Sequence, residues 1–415
     1  MNNFTRETYV AKREIVTFAR KLSVGFTRPK MKFITDMIYG MIASESVILS
    51  DIAGALKEDS HKINTVDRLS RNLRSDLPGT FFRNYIKVVR NEIPDDPIVM
   101  IDDSDVVKPY GEKFEGLGLV RDGSDPGNAI EKGYHIAEAI VLSKANQPIS
   151  LFSRVYSEKE ETFVSANIYT FRSIDRVVAA LKGKAVTFVF DRGYDSNAIF
   201  EHLYKREQLF IIRLTQKRNL FCKNKWLSAP TLCKSRKGKF KTILRFQNED
   251  KECYIGVINT QITGSKRPLR LVIVYGLSDT PMMLATNRAI HSKDDAVKIA
   301  RTYLSRWRIE EYFRFKKQHF GFENFRVRNL NAMNNLNTLL SCAIAFTGIL
   351  SGKDDSHGLK NFTAKAAAAI RKDVLFFYYR IAKGLSAILA HAKSGVRDWY
   401  KPKRRNPQLC FKLTC

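Results

Sequence analysis

The spacing of apolar and polar positions changes along this 415-residue chain, and the change divides it. Up to about residue 95 the apolar residues recur every three or four positions, which predicts helices. Positions 32–43 carry such a stripe, and Ser50 is placed to cap Asp51-Ile-Ala-Gly-Ala-Leu-Lys57, since a serine hydroxyl can accept a free first-turn N–H. A polar turn follows, and then a helix over 64–74. There Arg68, Arg71 and Arg74 fall at i, i+3 and i+6, with Val66, Leu69 and Leu73 on another side. That grammar fits a helix–turn–helix whose second helix enters a major groove, and it fits a plain helical bundle with a basic face as well.

From residue 96 the period shortens to that of strands. Strands are predicted at 98–101, 133–142 and 149–155, a helix at 171–181, a strand at 186–190, a helix at 197–207 and a strand at 209–214. This β-β-β-α-β-α-β order is that of an RNase H-like fold, in which the first and fourth strands are neighbours. The Gly-rich stretch 110–133 reads as a mobile loop. A second β-rich block occupies 215–288, with strands at 241–246, 253–259, 269–275 and 282–286. Its Lys217, Arg218, Lys223, Lys225, Lys234, Arg236, Lys237 and Lys239 could track a phosphate backbone. Beyond it, 330–350 is a mostly apolar helix, 352–358 a linker, 364–389 an Ala-rich helical stretch with interleaved cations, and 399–405 a basic tail.

Charge adds a partner. Lys and Arg number 70 against 42 Asp and Glu, a net +28 spread along the chain, which calls for a polyanion. Six cysteines without a C-x-x-C pair imply free thiols rather than zinc or a disulfide framework. No signal-peptide core opens the chain, and the longest apolar run, 339–350, is interrupted by Ser341 and Thr347 and too short to span a bilayer. The expectation is a soluble intracellular protein that binds nucleic acid and no membrane.

Candidate chemistry gathers in Tyr303-Leu-Ser-Arg306-Trp307-Arg308-Ile-Glu310-Glu311-Tyr-Phe-Arg314-Phe-Lys316-Lys317. On a continuous helix, Tyr303, Arg306, Glu310 and Lys317 fall within an arc of roughly 60°. Ion pairing at i,i+4 on a solvated face explains such charges in most helices. It does not explain Trp307 beside Arg306, and a carboxylate flanked by two cations suits a place where metal ions and phosphate oxygens meet. Two upstream runs, Ile98-Val-Met-Ile-Asp102-Asp103-Ser104-Asp105 and Val186-Thr-Phe-Val-Phe-Asp191, are short β-type segments ending in acids. Because side chains alternate along a strand, Asp102 and Asp103 face opposite ways.

The spacing Tyr-x2-Arg-x3-Glu-x6-Lys resembles the signature of bacterial insertion-sequence transposases of the DDE class, of the insertion-sequence family four type, and the likeness runs from about Lys21 to Leu350. The resemblance implies an α/β (α+β) chain with an RNase H-like catalytic core over 96–214 and 289–350, interrupted by a β-rich insertion over 215–288. A helical end-binding domain would occupy 1–95, carrying Arg68, Arg71 and Arg74, and a basic helical region 351–415. It implies that Asp102, Asp191 and Glu310 are the catalytic acids and hold two Mg²⁺ (or Mn²⁺) ions. The Asp-x-Ser/Thr pattern selects Asp102 over the runner-up Asp103. By the same resemblance Tyr303, Arg306, Arg314 and Lys317 contact DNA phosphates, and Trp307 stacks on an extruded base. The implied activity is cut-and-paste transposition of double-stranded DNA, at transposon ends and target, by a homodimer in the bacterial cytoplasm. An RNase H-like nuclease or resolvase without strand transfer, and a non-catalytic repressor, are the alternative readings.

Overall fold

Five helices open the structure: α1 (Thr5–Leu22), α2 (Arg28–Ser44), α3 (Leu49–Leu56), α4 (Lys62–Arg74) and α5 (Phe81–Val89). This computed structural model describes residues 5–400 apart from 124, 126, 128, 248, 263–266, 355–357 and 368–376. Pro29 sits in the first turn of α2, where its missing N–H leaves no bond unmade. Ser50 does not cap α3; the helix starts two residues earlier than such a cap would set, at Leu49, and Ser46 Oγ accepts from the Ile48 N–H at 3.1 Å instead. Three elements are tied by a charge cluster. Arg68 of α4 donates to the buried Asp36 of α2 at 2.8 Å and to Glu58 at 2.9 Å, and Lys32 reaches both acids at 2.6 Å. Arg68 is therefore engaged within the fold, while Arg71 and Arg74 stay exposed.

The strands form one mixed sheet in the order β2-β3-β1-β5-β6-β12-β11-β10-β7-β8, with β4 paired to β3 and β9 to β10. The first half comprises β1 (Ile98–Val107), β2 (Gly118–Arg121), β3 (Ile130–Leu142), β4 (Pro148–Tyr156), β5 (Thr187–Phe190) and β6 (Leu209–Arg213). Helix α6 (Ala166–Ala180) precedes β5, and α7 (Asn197–Lys205), capped by Ser196, precedes β6. The predicted order holds and the fourth predicted strand does lie beside the first. Two details differ. The stretch 110–133 contains β2, paired to β3 from Gly118↔Gly133 to Arg121↔Ile130. And β1 runs on through its acids to Val107, because β3 offers it a ladder along its whole length, from Val99↔Val141 to Val107↔Gly133.

The second half of the sheet holds β7 (Asn219–Cys222), β8 (Lys225–Ser228), β9 (Phe240–Phe246), β10 (Glu249–Ile262), β11 (Pro268–Tyr275) and β12 (Met282–Thr286), with the short α8 (Ala229–Lys234) after β8. Strand β12 returns beside β6, pairing Leu284 with Arg213 and Thr286 with Ile211, so this block extends the same sheet. Four helices follow: α9 (Lys293–Leu304), α10 (Trp307–Arg314), α11 (Leu330–Ser351) and α12 (Gly358–Ala366), and then α13 (Phe377–Ala390). By length and composition α11 is apolar enough to cross a membrane, yet 89% of its apolar window is buried inside the fold, chiefly against β4 and α2. Its hydrophobicity is that of a core helix. Cys222, Cys233, Cys253 and Cys342 are free thiols. Cys410, Cys415 and the 401–405 part of the basic tail lie outside the described residues.

Candidate active site

Parallel pairing places the first two acids. Strand β1 registers on β5 as Ile98↔Thr187, Val99↔Phe188 and Met100↔Val189, and β5 ends at Phe190. Two more steps in that register set Asp102 level with Asp191. Apolar residues fill both strands up to this point because both faces are covered; the acids begin where the neighbour stops and the sheet opens.

The third acid arrives on a bent element. The stretch 303–317 is not one helix: α9 ends at Leu304, the chain turns at Ser305–Arg306, α10 spans Trp307–Arg314, and a π-helical turn covers Phe315–His319. Helix α9 is fixed at its start by reciprocal capping between Ser292 and Asp295. At its end the buried Tyr303 donates its hydroxyl to Asp191 Oδ1 at 3.1 Å. Burial, then Asp191, pushes the Tyr303 phenol up to about 12, so it remains a donor. Arg306, at the bend, links the other two acids. Its guanidinium donates to Asp102 Oδ2 at 3.0 Å and also to Glu310 Oε1.

Electrostatics agree with that geometry. Burial pushes the Asp102 carboxyl up to about 6; Arg306 and the Asp103 N–H oppose the shift, and the nearby Asp191 and Glu310 charges add to it. Burial works against the Arg306 charge as well, but Asp102 and Asp191, followed by Tyr303 and Glu310, outweigh it and hold the guanidinium above its ordinary range. Asp103 faces elsewhere. It accepts the Tyr156 hydroxyl at 3.2 Å, under a Tyr156–Tyr169 stack of 3.9 Å, and burial followed by Asp102 raises it to about 7. Only Asp102 of this pair meets Arg306.

The remaining signature residues lie apart. Lys317 places its ammonium 3.2 Å from Asp105 of β1 and 3.2 Å from Glu323, rather than on the acid cluster. Arg314 pairs with Glu311. Trp307 is half-buried with the Arg308 guanidinium 5.4 Å from its ring. Asp105 was visible in the Asp-Asp-Ser-Asp run; Glu323 carried no sequence signal. The π-turn accounts for the spread, because its extra residue per turn rotates Lys316 inward while Lys317 turns toward β1. Lys316 is fully buried and donates to Glu138 at 2.7 Å, Ser153 at 3.1 Å and Asn337 at 2.8 Å.

The same turn carries a half-buried imidazole. His319 stacks on Phe315 at 4.7 Å beside Phe320 and Tyr379, and burial pushes it down to about 4. An unfolded histidine protonates near 6.5, so the unfolded state binds the proton first as pH falls. Stability is thus expected to drop between about pH 6.5 and pH 4, by up to about 3 kcal/mol from this group. The raised Asp102 and Asp103 carboxyls act in the opposite sense in both proteins, so urea unfolding at pH 7 and pH 4.5 should show the wild type losing more stability on acidification than His319→Phe does. An identical pH dependence in the variant would contradict the assignment.

Three carboxylates and one guanidinium form a compact, charged and partly open site. Their oxygens are the hard donors that Mg²⁺ and Mn²⁺ take, so the donor chemistry fits such ions. As it stands, no group of three or more His, Cys, Asp or Glu among the described residues is drawn together to hold a metal ion; Arg306 supplies the positive charge between Asp102 and Glu310.

Residues 160–346 match the family model described as a transposase DDE domain. The match supports a DDE transposase. It spans Asp191 and the whole signature stretch and begins after Asp102. No curated protein matches the chain.

Proposed function

We propose that the protein is a DDE transposase that cuts double-stranded DNA at the terminal inverted repeats of its element and transfers the freed strand to a target. The observation that carries this reading is the level placement of Asp102 and Asp191, with Arg306 joining Asp102 to Glu310. In this reading β1 to β6 with α9 to α11 are an RNase H-like core, residues 215–288 an inserted β-rich domain, and residues 1–95 and 351–415 DNA-handling flanks. Asp102, Asp191 and Glu310 would hold two divalent ions, Mg²⁺ or Mn²⁺. Bound there, such ions supply a hydroxide-like nucleophile at neutral pH and charge stabilisation for the leaving 3′-oxygen.

The chain's own residues prepare that chemistry. Tyr303 orients the Asp191 carboxylate through its hydroxyl. Arg306 keeps Asp102 and Glu310 from repelling one another in a site half closed to water, and its fork is the right shape for a phosphate once the acids are otherwise neutralised. Trp307, on the turn beside it, offers a flat face to an unstacked base. Arg314 and Lys317 extend the positive rim. We assign the working assembly as a homodimer on paired DNA ends, acting in the cytoplasm on the nucleoid.

Strand transfer separates this reading from a simple nuclease. The protein is to be incubated with a labelled duplex carrying its element's end, Mg²⁺ and a supercoiled plasmid. The expected result is cleavage at the end followed by label joined covalently to the plasmid. Cleavage without joining would leave only a nuclease.

A further inference from the structure

A second concave surface begins where the signature stretch ends. Glu323 takes Lys317 on its carboxylate at 3.2 Å and the Lys108 ammonium on its carbonyl, while Lys108 also donates to the Phe325 carbonyl at 2.8 Å. These bonds pin 323–325 to the end of β1. Immediately beyond, residues 326–329 form one wall of a groove of about 700 Å³ whose opposite wall is α4 and the start of α3. Arg326 and Arg328 line the first wall, Arg74 comes from α4, and Lys113 from the loop after β1. All four are exposed, and none forms an ion pair among the described residues. Two acids also line the groove. Glu115 is occupied by the Asn329 side chain at 2.6 Å and the Leu330 N–H at 2.9 Å, and Asp67 sits on the exposed face of α4.

Four unpaired cations therefore face two acids, over a floor that includes Val66 and Val327. Like charges that line one groove repel one another, and an anion laid between them relieves that repulsion. Cationic rims above an apolar floor match a phosphodiester strand, whose phosphates take the charges while the sugars lie on the floor. The groove also joins the exposed arginines of α4 to the backbone that positions Lys317. We propose that it carries the backbone of the same DNA duplex that is cut at Asp102, Asp191 and Glu310, linking the N-terminal helices to the acids; the inference rests on the function proposed above.

The test is the salt dependence of binding, read by fluorescence anisotropy of the full-length protein on a mixed-sequence duplex. Each phosphate contact contributes about 0.9 to the slope of log affinity against log salt. Arg326→Gln/Arg328→Gln on one wall, and Arg74→Gln/Lys113→Gln on α4 and the loop after β1, are each expected to flatten that slope by about 2. Arg326→Lys/Arg328→Lys should keep it. The two glutamine pairs lie on different elements, so a local folding defect in one cannot produce the result in both. Unchanged slopes in both pairs would overturn the proposal, as would flattening on duplex RNA but not on duplex DNA. Cleavage is scored on the same proteins. Metal-dependent cutting with unchanged slopes sinks the groove alone, whereas flattened slopes without any cutting keep the groove and sink the transposase reading.

Discussion

Lys316→Met is expected to destabilise the protein by about 3–5 kcal/mol, the cost of leaving a buried charge without its partner. Lys316 and Glu138 are both essentially inaccessible, at 1% and 0% side-chain exposure, and lie 2.7 Å apart. Ser150, Ser153 and Asn337 complete the network, which joins the π-turn to β3, β4 and α11. Burial drives the Lys316 ammonium down and Glu138 opposes it, so the pair survives by mutual compensation rather than by solvent. Removing the cation leaves Glu138 to hydroxyl donors alone, in surroundings that cannot hydrate a carboxylate. Removing both charges, in Lys316→Met/Glu138→Leu, should recover much of the loss, since an apolar pair of similar volume carries no desolvation penalty. Urea midpoints of the wild type, the single variant and the double variant give the comparison. A single variant within about 1 kcal/mol of wild type would mean that the pair is not the buried anchor described here.

The alternation of residues made the outline of the sheet legible, and it did so where both faces of a strand are covered. The runs ending at Ile101 and Phe190 are unbroken apolar segments, and their adjacency follows from the order of elements. What pattern alone could not reveal was how far β1 continues. A row of acids reads as a strand end, yet here each acid has a distant partner: Arg306 for Asp102, Tyr156 for Asp103, Lys317 for Asp105. Such partners lie 53 to 212 positions away along the chain and leave no local trace.

The signature stretch failed in the opposite sense. Its composition promised a single helix, because nothing in it breaks one. The turn at Ser305–Arg306 and the π-turn have no helix-breaking residue to announce them, and the π-turn is where the buried Lys316 meets Glu138. Consequently Tyr303, Arg306 and Glu310 do converge on the acids, but through a turn, and Lys317 does not share their line. Short elements such as β2, β7, β8 and α8 span only four to six residues each, too few to show a period. Arg68 illustrates a further limit. Its place in a basic row on α4 gave no hint that Asp36 and Glu58 would claim it.

In the function proposed above, Glu310, with Asp102 and Asp191, runs metal-dependent cleavage of DNA. Glu310 is half exposed and its only side-chain bond among the described residues is to Arg306, so replacing it should leave the fold intact. Its loss would remove one of the three carboxylates that would hold the ions facing the pentacoordinate phosphorus of the transition state. Several kcal/mol of transition-state stabilisation lost there corresponds to about a thousandfold or more in rate. The decisive measurement is single-turnover cleavage of the element's own end duplex in Mg²⁺ or Mn²⁺ by wild type and Glu310→Gln, with duplex binding measured alongside. The expected result is that both proteins bind the end, the wild type cuts it, and Glu310→Gln cuts it at least about a thousandfold more slowly. Equal cleavage rates, or two proteins that bind the end and never cut it with either metal, would contradict the account.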